Sequence, residues 1–330
     1  MFGKIIKILK DVNRNLGNYK KLNALHGAHI NDYKSPKVNL GQLQAAANSH
    51  KKNINSLAEV EFQVFSQFGD DGIIQWLVQQ LPSINPTFIE FGVENYREAN
   101  TRFLLVNNNW SGFVMDGSEE NIDSLKGEQL YTFFDLQAAC SFITSANINQ
   151  LLSTTGFNKE PGILSIDIDG NDFWVWKAIT DIKPAIIICE YNSLYGYNHP
   201  YTIPYQENFV RGTKYPFNYY GISLLSAYNL AAERGYSFIG CNSAGNNAYF
   251  IDNNYMPQLG IKTVSPREGY VFQKFTEAYN ASTGDWHRGK DKVKTIDGLP
   301  VYNTVTGLTE TVKADEIIND LFAANKLTRR

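Results

Sequence analysis

The chain has 330 residues, 43% of them hydrophobic and 19% charged, and a formal net charge of −3 at pH 7. That length and apolar fraction suffice for one large core or two modest ones. The slightly acidic balance argues against a nucleic-acid binder, which carries a basic face or stripe.

Three widely spaced cysteines, Cys140, Cys189 and Cys241, with no CxxC pair, read as small core residues in a reducing compartment rather than as a zinc site. No apolar run reaches the ~20 residues needed to cross a bilayer, and the start lacks the h-region and cleavage site of a signal peptide, so a cytoplasmic location is expected. Residues 1–16 are amphipathic, with Ile5, Ile6, Ile8 and Leu9 set among Lys4, Lys7 and Lys10. They read as a helix packing on the core or on a second copy of the chain, with peripheral contact at a membrane surface as the alternative.

Residues 1–58 are Lys- and Asn-rich with helically spaced apolar positions, which predicts a basic helical N-terminal extension. A Ser/Gly/Asp cluster at 66–71 then feeds a helix carrying Ile73, Ile74, Leu77, Val78 and Leu81 at i+3 and i+4 spacings. Short apolar runs at TFIEFG, GFVMDG, GILSIDID and AIIICEYN, each followed by a turn and a helical pattern, predict parallel strands with crossover helices. Ser223–Arg234 reads as a helix ended by Gly235, and YSFIGCN and NAYFIDN, joined by SAGN, read as an antiparallel hairpin closing the sheet. The expected fold is α/β: a Rossmann-like, doubly wound, mostly parallel sheet with an antiparallel terminal hairpin. Residues 59–255 form that domain, and 256–330, where the pattern weakens, a C-terminal cap or tail.

In such sheets ligands bind beyond the carboxyl ends of the strands. Glu90 and Gly92 stand at the end of the first predicted strand and Asp116 at the end of the second. The glycine lets a ligand approach the backbone, and an acid in Asp116's place can accept hydrogen bonds from both hydroxyls of a ribose. Neither GxGxxG nor GxxxxGK[ST] is present, so no pyrophosphate or triphosphate cradle is offered. A nucleoside without a pyrophosphate fits better.

Three further acids, Asp167, Asp169 and Asp172, crowd the end of the run ILSIDIDGND. Carboxylates so placed repel one another unless a cation, a proton or a ligand holds them. Asp167 and Asp169 share a side of the strand, as do Glu190 and Asn192 two residues apart on the next, so the two pairs can converge on one ion. All four offer oxygen donors, which suit a hard divalent cation. The competing readings are a helix cap, for which Asp172 is the preferred residue, and a metal-free acid/base site. His199 is a candidate base, its ordinary pKa lying near neutrality, or simply a turn residue before Pro200. Arg211 and Lys214 are candidates to hold an acceptor's anionic group.

Seven stretches, FSQFGDDGIIQWL, FIEFGVEN, VMDGSEENI, FITSANINQLL, LSIDIDGNDFWVWKAI, ICEYNSLYG and YYGISLLSAYNLAAERGYSFIGCNSAGNNAYFI, together resemble the class I S-adenosylmethionine-dependent methyltransferases, and most closely their FkbM-type branch. The resemblance covers about residues 60–251 and keeps the family's order of blocks. It implies that Glu90, Gly92, Asp116, Gly117 and Ser118 bind S-adenosylmethionine, that Gln67 and Gly69 shape the front of its pocket, and that Ala139, within 138–142, lies near the adenine edge. By similarity to metal-dependent O-methyltransferases, Asp167, Asp169, Glu190 and Asn192 are expected to hold Mg²⁺, or Mn²⁺, beside an acceptor hydroxyl, with Asp167, Asp169 and His199 as catalytic residues.

The implied acceptor is a sugar or glycan precursor, in polysaccharide biosynthesis. Two alternatives stand beside it: a metal-dependent glycosyltransferase using the D-x-D of Asp167 and Asp169, which leaves Glu90, Gly92 and Asp116 unexplained, and a non-catalytic binding domain.

Overall fold

A computed structural model of the chain describes residues 34–157, 159–275, 279–280 and 284–327. The amphipathic segment 1–16 therefore lies outside the described residues. No described helix is long and apolar enough to cross a membrane.

The four apolar runs form strands β1 (Thr87–Phe91), β2 (Ser111–Asp116), β4 (Ile163–Ile166) and β5 (Ile186–Glu190), and β3 (Leu136–Cys140), which lies in none of those runs, joins them. After a two-residue strand, β6 (Tyr201–Thr202), come β7 (Tyr236–Cys241) and β8 (Asn247–Asp252). The seven-stranded sheet has the order β3-β2-β1-β4-β5-β8-β7. β1 to β5 pair in parallel, and β8 pairs antiparallel with both β5 and β7, as the hairpin reading predicts. β4 and β5 are buried at every residue, which is why they read as unbroken apolar runs rather than alternating ones.

Helices cover both faces of the sheet through two main apolar clusters, one built around Trp76, Leu77 and Leu104, the other around Trp176, Phe250 and Tyr219. Local chemistry fixes their ends. Ser118 caps Glu119–Lys126 by accepting from the Asn121 N–H, and Ser223 caps Leu224–Glu233 by accepting from the Ser226 N–H.

The helix Pro36–Asn48 packs Val38 and Ala45 against Phe62, Val64, Phe65 and Phe103. Gly41 permits this approach, since a Cβ there would meet Val64 Cγ2 at 2.4 Å. At the other end of the chain, β11 (Pro300–Asn303) lies between β12 (Thr309–Thr311) and β6, and the helix Ala314–Ala323 buries Ile317, Ile318 and Leu321 in the cluster that holds Leu194, Tyr195 and Tyr201. Apart from the helix Ala314–Ala323, the described elements after residue 255 are five residues long or shorter, which is why the sequence pattern weakens there. Cys189 and Cys241 are buried as expected, whereas Cys140, at the end of the edge strand β3, is exposed.

Candidate functional site

The strand order reverses between β2 and β4, on either side of β1, and the chemistry-bearing residues gather at that switch point. Gly92 follows β1 with φ +68°, and a Cβ on it would lie 1.7 Å from the Asp167 carbonyl oxygen. Only glycine lets the chain leaving β1 press against the chain leaving β4. Glu94 and Tyr96 also adopt positive φ, so the loop turns sharply across the strand ends.

Two of the predicted acids hold this loop. Asp116 accepts from the Glu94 N–H at 2.8 Å, the Ser118 N–H at 2.8 Å and the Asn121 amide at 3.2 Å. Glu90 accepts from the N–H groups of Asn100 at 2.9 Å and Thr101 at 3.0 Å, and from the Thr101 hydroxyl, at the start of the helix Arg102–Asn108. Burial pushes the Glu90 carboxyl up from its ordinary range, against those hydrogen bonds.

The acidic constellation forms in part as expected. Carboxylate oxygens of Asp167, Asp169 and Glu190 lie within 4.8 Å of one another. Burial first, then the neighbouring charges of Asp169 and Asp172, raises the Asp167 pKa well above the usual carboxylate range; Arg211 and a hydrogen bond to Glu190 oppose the rise. Glu190 is raised well above it for the same reasons, burial and then the charges of Asp167 and Asp169. A hydrogen bond between two carboxyls requires a proton between them, so the pair holds one to a higher pH than isolated carboxylates do. Asp169, in the left-handed region at φ +54° and half exposed, pairs with the Arg211 guanidinium. Arg211 lies 3.6 Å over the Tyr220 ring and 4.2 Å over the Phe217 ring, and its Nε donates to the Phe217 carbonyl at 2.8 Å.

Two adjoining cavities open here. One of about 150 Å³ is lined by Asp116, Gly117, Ser141, Phe142, Ile143 and Phe209. The other, of about 210 Å³, is lined by Gln67, Glu90, Asn100, Glu190, Arg211 and Asn247 among others. Gly92, Glu94, Asp167 and Asp169 line both. The acid cluster therefore sits at the junction of a space over β2 and a space over β1 and β5.

Other predicted residues lie elsewhere. β5 stops at Glu190, and Asn192 caps the turn Ser193–Tyr195: its side-chain oxygen accepts from the Leu194 N–H at 3.0 Å and its amide donates to the Asn218 and Tyr220 carbonyls. Asn192 lines neither cavity, and its oxygen is already engaged by the Leu194 N–H. Asp172 is the first residue of the helix Asp172–Ala178 rather than its cap; its carboxylate accepts from the Ile168 and Gly170 N–H groups and shapes the loop that carries Asp169. His199 lines neither cavity. Its ring lies 5.3 Å from that of Tyr201, its Nδ1 is buried without a partner, and burial lowers its pKa.

Gly69 faces the Glu61 side chain as the residue before the helix Asp70–Gln80, and Ser118 serves as the cap already described. Ala139 belongs to β3 and packs on the core, so within the expected stretch 138–142 the lining residues are Ser141 and Phe142, with Ile143 just beyond it.

Sequence reasoning missed a buried polar lattice behind the acids. Asp70 accepts from the Asn242 and Asn247 amides and the Tyr249 hydroxyl, Asn247 reaches Asn100, and Asn100 donates to Ser165 Oγ at 3.1 Å. The signal available was the polar SAGNN turn entering an apolar strand. This lattice ties the helix Asp70–Gln80 to the ends of β1, β4 and β8.

The sheet order defines a doubly wound α/β domain with its cavities at the switch point of the sheet. No family model and no curated protein matches the sequence. Among solved structures, the chain is similar to an O-methyltransferase from Bacillus cereus in complex with SAH, with 16% identity and a TM-score of 0.37 over 69% of this chain and 94% of that one. It is also similar to the N-terminal domain of EvdMO1 with SAH bound, with 12% identity and a TM-score of 0.36 over 64% and 94% of the two chains. A third is an S-adenosylmethionine-dependent methyltransferase from Clostridium acetobutylicum, with 11% identity and a TM-score of 0.33 over 55% and 88%.

Proposed function

We propose that the protein is an S-adenosylmethionine-dependent O-methyltransferase of the FkbM type, acting on a sugar hydroxyl of a glycan or polysaccharide precursor with the help of a divalent cation. The observation that carries this reading is the junction itself: the Asp167–Asp169–Glu190 cluster stands beside the Gly92, Asp116 and Gly117 cavity. The cofactor would lie there, its ribose hydroxyls toward the Asp116 carboxylate, which the Glu94 and Ser118 N–H groups hold in place, and its adenine toward Phe142.

The donor set fits a cation: three carboxylates offer hard oxygens, and mutual repulsion and burial give them reason to accept one. Asp167, Asp169 and Glu190 would hold Mg²⁺ or Mn²⁺, which supplies Lewis-acid stabilisation of charge developing on the acceptor oxygen. Asn192 is left out of the set. A carboxylate oxygen of Asp167 or Glu190 left free by the cation would be placed to take the acceptor's proton, the role expected of His199. Arg211 orients Asp169 and, wedged between Phe217 and Tyr220, walls the acceptor side.

Labelled methyl transfer from S-adenosylmethionine to a series of nucleotide-linked sugars, run with Mg²⁺ and with excess chelator, tests the reading. Product that depends on Mg²⁺ is expected. Equal product under chelator removes the cation from the mechanism, and no transfer to any of the sugars counts against the acceptor class.

A further inference from the structure

Phe217 has two faces of interest. It lines the cavity that holds Glu190 and Arg211, and it also lines a second, larger cleft of about 770 Å³. That cleft is also lined by a cross-strand aromatic pair, Tyr279 of β9 (Tyr279–Asn280) opposite Trp286 of β10 (Asp285–Trp286). Their ring centroids are 5.2 Å apart, and both residues are half exposed, at 55% and 50%. Cross-strand packing accounts for the pairing but not for so much aromatic surface facing an open space. His287, Arg288 and Lys294 line the same cleft, with Asp291 as the acid among its described lining residues. Lys294 pairs with Asp291 at 3.3 Å, while Arg288 makes no ion pair among the described residues.

We infer that this cleft binds a nucleoside diphosphate carried by the acceptor, with the base on Trp286 and Tyr279, the diphosphate on Arg288 and Lys294, and the attached sugar passing Phe217 toward Asp167, Asp169 and Glu190. Exposed aromatic rings stack on bases without needing a particular one. A guanidinium recognises phosphate oxygens through charge-assisted hydrogen bonds. The volume lies within the roughly 300–1,000 Å³ usual for small-molecule sites. A neutral sugar alone would leave the cations unused, and inorganic phosphate alone would leave the rings unused. As an acceptor site the cleft rests on the methyl-transfer reading; as a nucleotide site it stands on its own residues.

The probe is uridine diphosphate, titrated into the full chain with tryptophan emission and calorimetry as readouts, with and without S-adenosylhomocysteine. Saturable quenching that persists with S-adenosylhomocysteine is expected, because Trp286 is the half-exposed indole at this site. Arg288→Ala should weaken binding about tenfold, the size of one charge-assisted contact. Trp286→Phe should remove the quench yet keep calorimetric binding, and Trp286→Ala should weaken both.

No saturable binding, or binding unchanged in Arg288→Ala and Trp286→Ala, overturns the assignment. Displacement by S-adenosylhomocysteine also overturns it, by placing the nucleotide in the cofactor cavity. Uridine binding as tightly as its diphosphate would refute the phosphate contact, and glucose 1-phosphate binding as tightly would refute the base stack. Heat from S-adenosylhomocysteine without a nucleotide response sinks the cleft alone; the reverse pattern sinks the methyl-transfer reading alone.

Discussion

Replacing Gly92 with alanine tests whether the crossing of the chains that leave β1 and β4 builds the site. Two costs are separable. An alanine at φ +68° pays a left-handed penalty of roughly 1–2 kcal/mol. Its Cβ would also stand 1.7 Å from the Asp167 carbonyl oxygen, a backbone atom that no rotamer change can move away. Overpacking of that kind costs a further ~1–3 kcal/mol and is relieved only by parting the two strand ends.

Gly235→Ala is the matched control, since Gly235 has φ +80° and nothing within 4 Å of its Cβ position. Urea denaturation of the two variants should give losses of about 2–5 kcal/mol for Gly92→Ala and about 1–2 kcal/mol for Gly235→Ala. With a slope of about 3 kcal/mol per molar, the first is a midpoint shift of roughly 1 M. Only Gly92→Ala should also weaken S-adenosylhomocysteine binding, because Asp167 and Gly92 line both cavities. Equal losses in the two variants with unchanged binding would refute the close-approach argument.

Other outcomes follow from the buried acids. Asp116→Ala should weaken S-adenosylhomocysteine binding at least tenfold by calorimetry, while its melting temperature stays within about 5 °C of the parent's, as expected from losing a few part-buried hydrogen bonds; unchanged affinity would remove the ribose contact. Glu190→Gln should spare cofactor affinity and abolish Mg²⁺-stimulated turnover, checked against a chelator control; retained stimulation would exclude Glu190 as a ligand.

Asp71 carries a pH prediction. Burial raises its pKa from 3.8 to about 6, despite four hydrogen bonds to Oδ2 from the Val64, Phe65 and Ser66 N–H groups and the Ser66 hydroxyl. A raised folded-state pKa means the native state binds the proton more tightly, so this contribution is fully present below about pH 4 and is lost as pH rises through about 6. Asp71→Asn stays neutral throughout, so its stability relative to the parent should improve by up to about 3 kcal/mol between pH 4 and pH 7. A pH-independent difference would mean that Asp71 titrates normally.

Four of the five parallel strands were legible because burial leaves an apolar signature, as in IIICE of β5, whereas the part-exposed edge strand β3, LQAAC, carries no such run. Gly92, Asp116 and the Asp167–Asp169 pair were legible because strand ends can be read to within a residue or two. Asn192 shows where that reading stops: the two-residue alternation that put it beside Glu190 holds only within a strand, and β5 has already ended. Ala139 fails in the opposite way, since β3 runs on through Cys140 and delays the loop to Ser141.

Arg211, Asn100 and Asn247 reach the site from separate segments, brought there by crossovers and by hydrogen bonds that leave no periodic trace. The loop bearing His199 packs against the C-terminal helix Ala314–Ala323, where Gly196 faces Ile317 and the Tyr197 hydroxyl donates to the Asp320 carbonyl. Nothing local to HPYTIP encodes that packing.

The most direct test of the account is calorimetric titration of S-adenosylhomocysteine into the full chain, once with Mg²⁺ and once with chelator. Saturable binding of equal affinity in both conditions is predicted, because the Asp116 and Gly117 contacts lie on the cofactor side of the junction and the carboxylates on the acceptor side. Absence of binding in either condition would contradict the methyl-transfer reading, and would turn attention to the D-x-D of Asp167 and Asp169 as a nucleotide-sugar transferase motif.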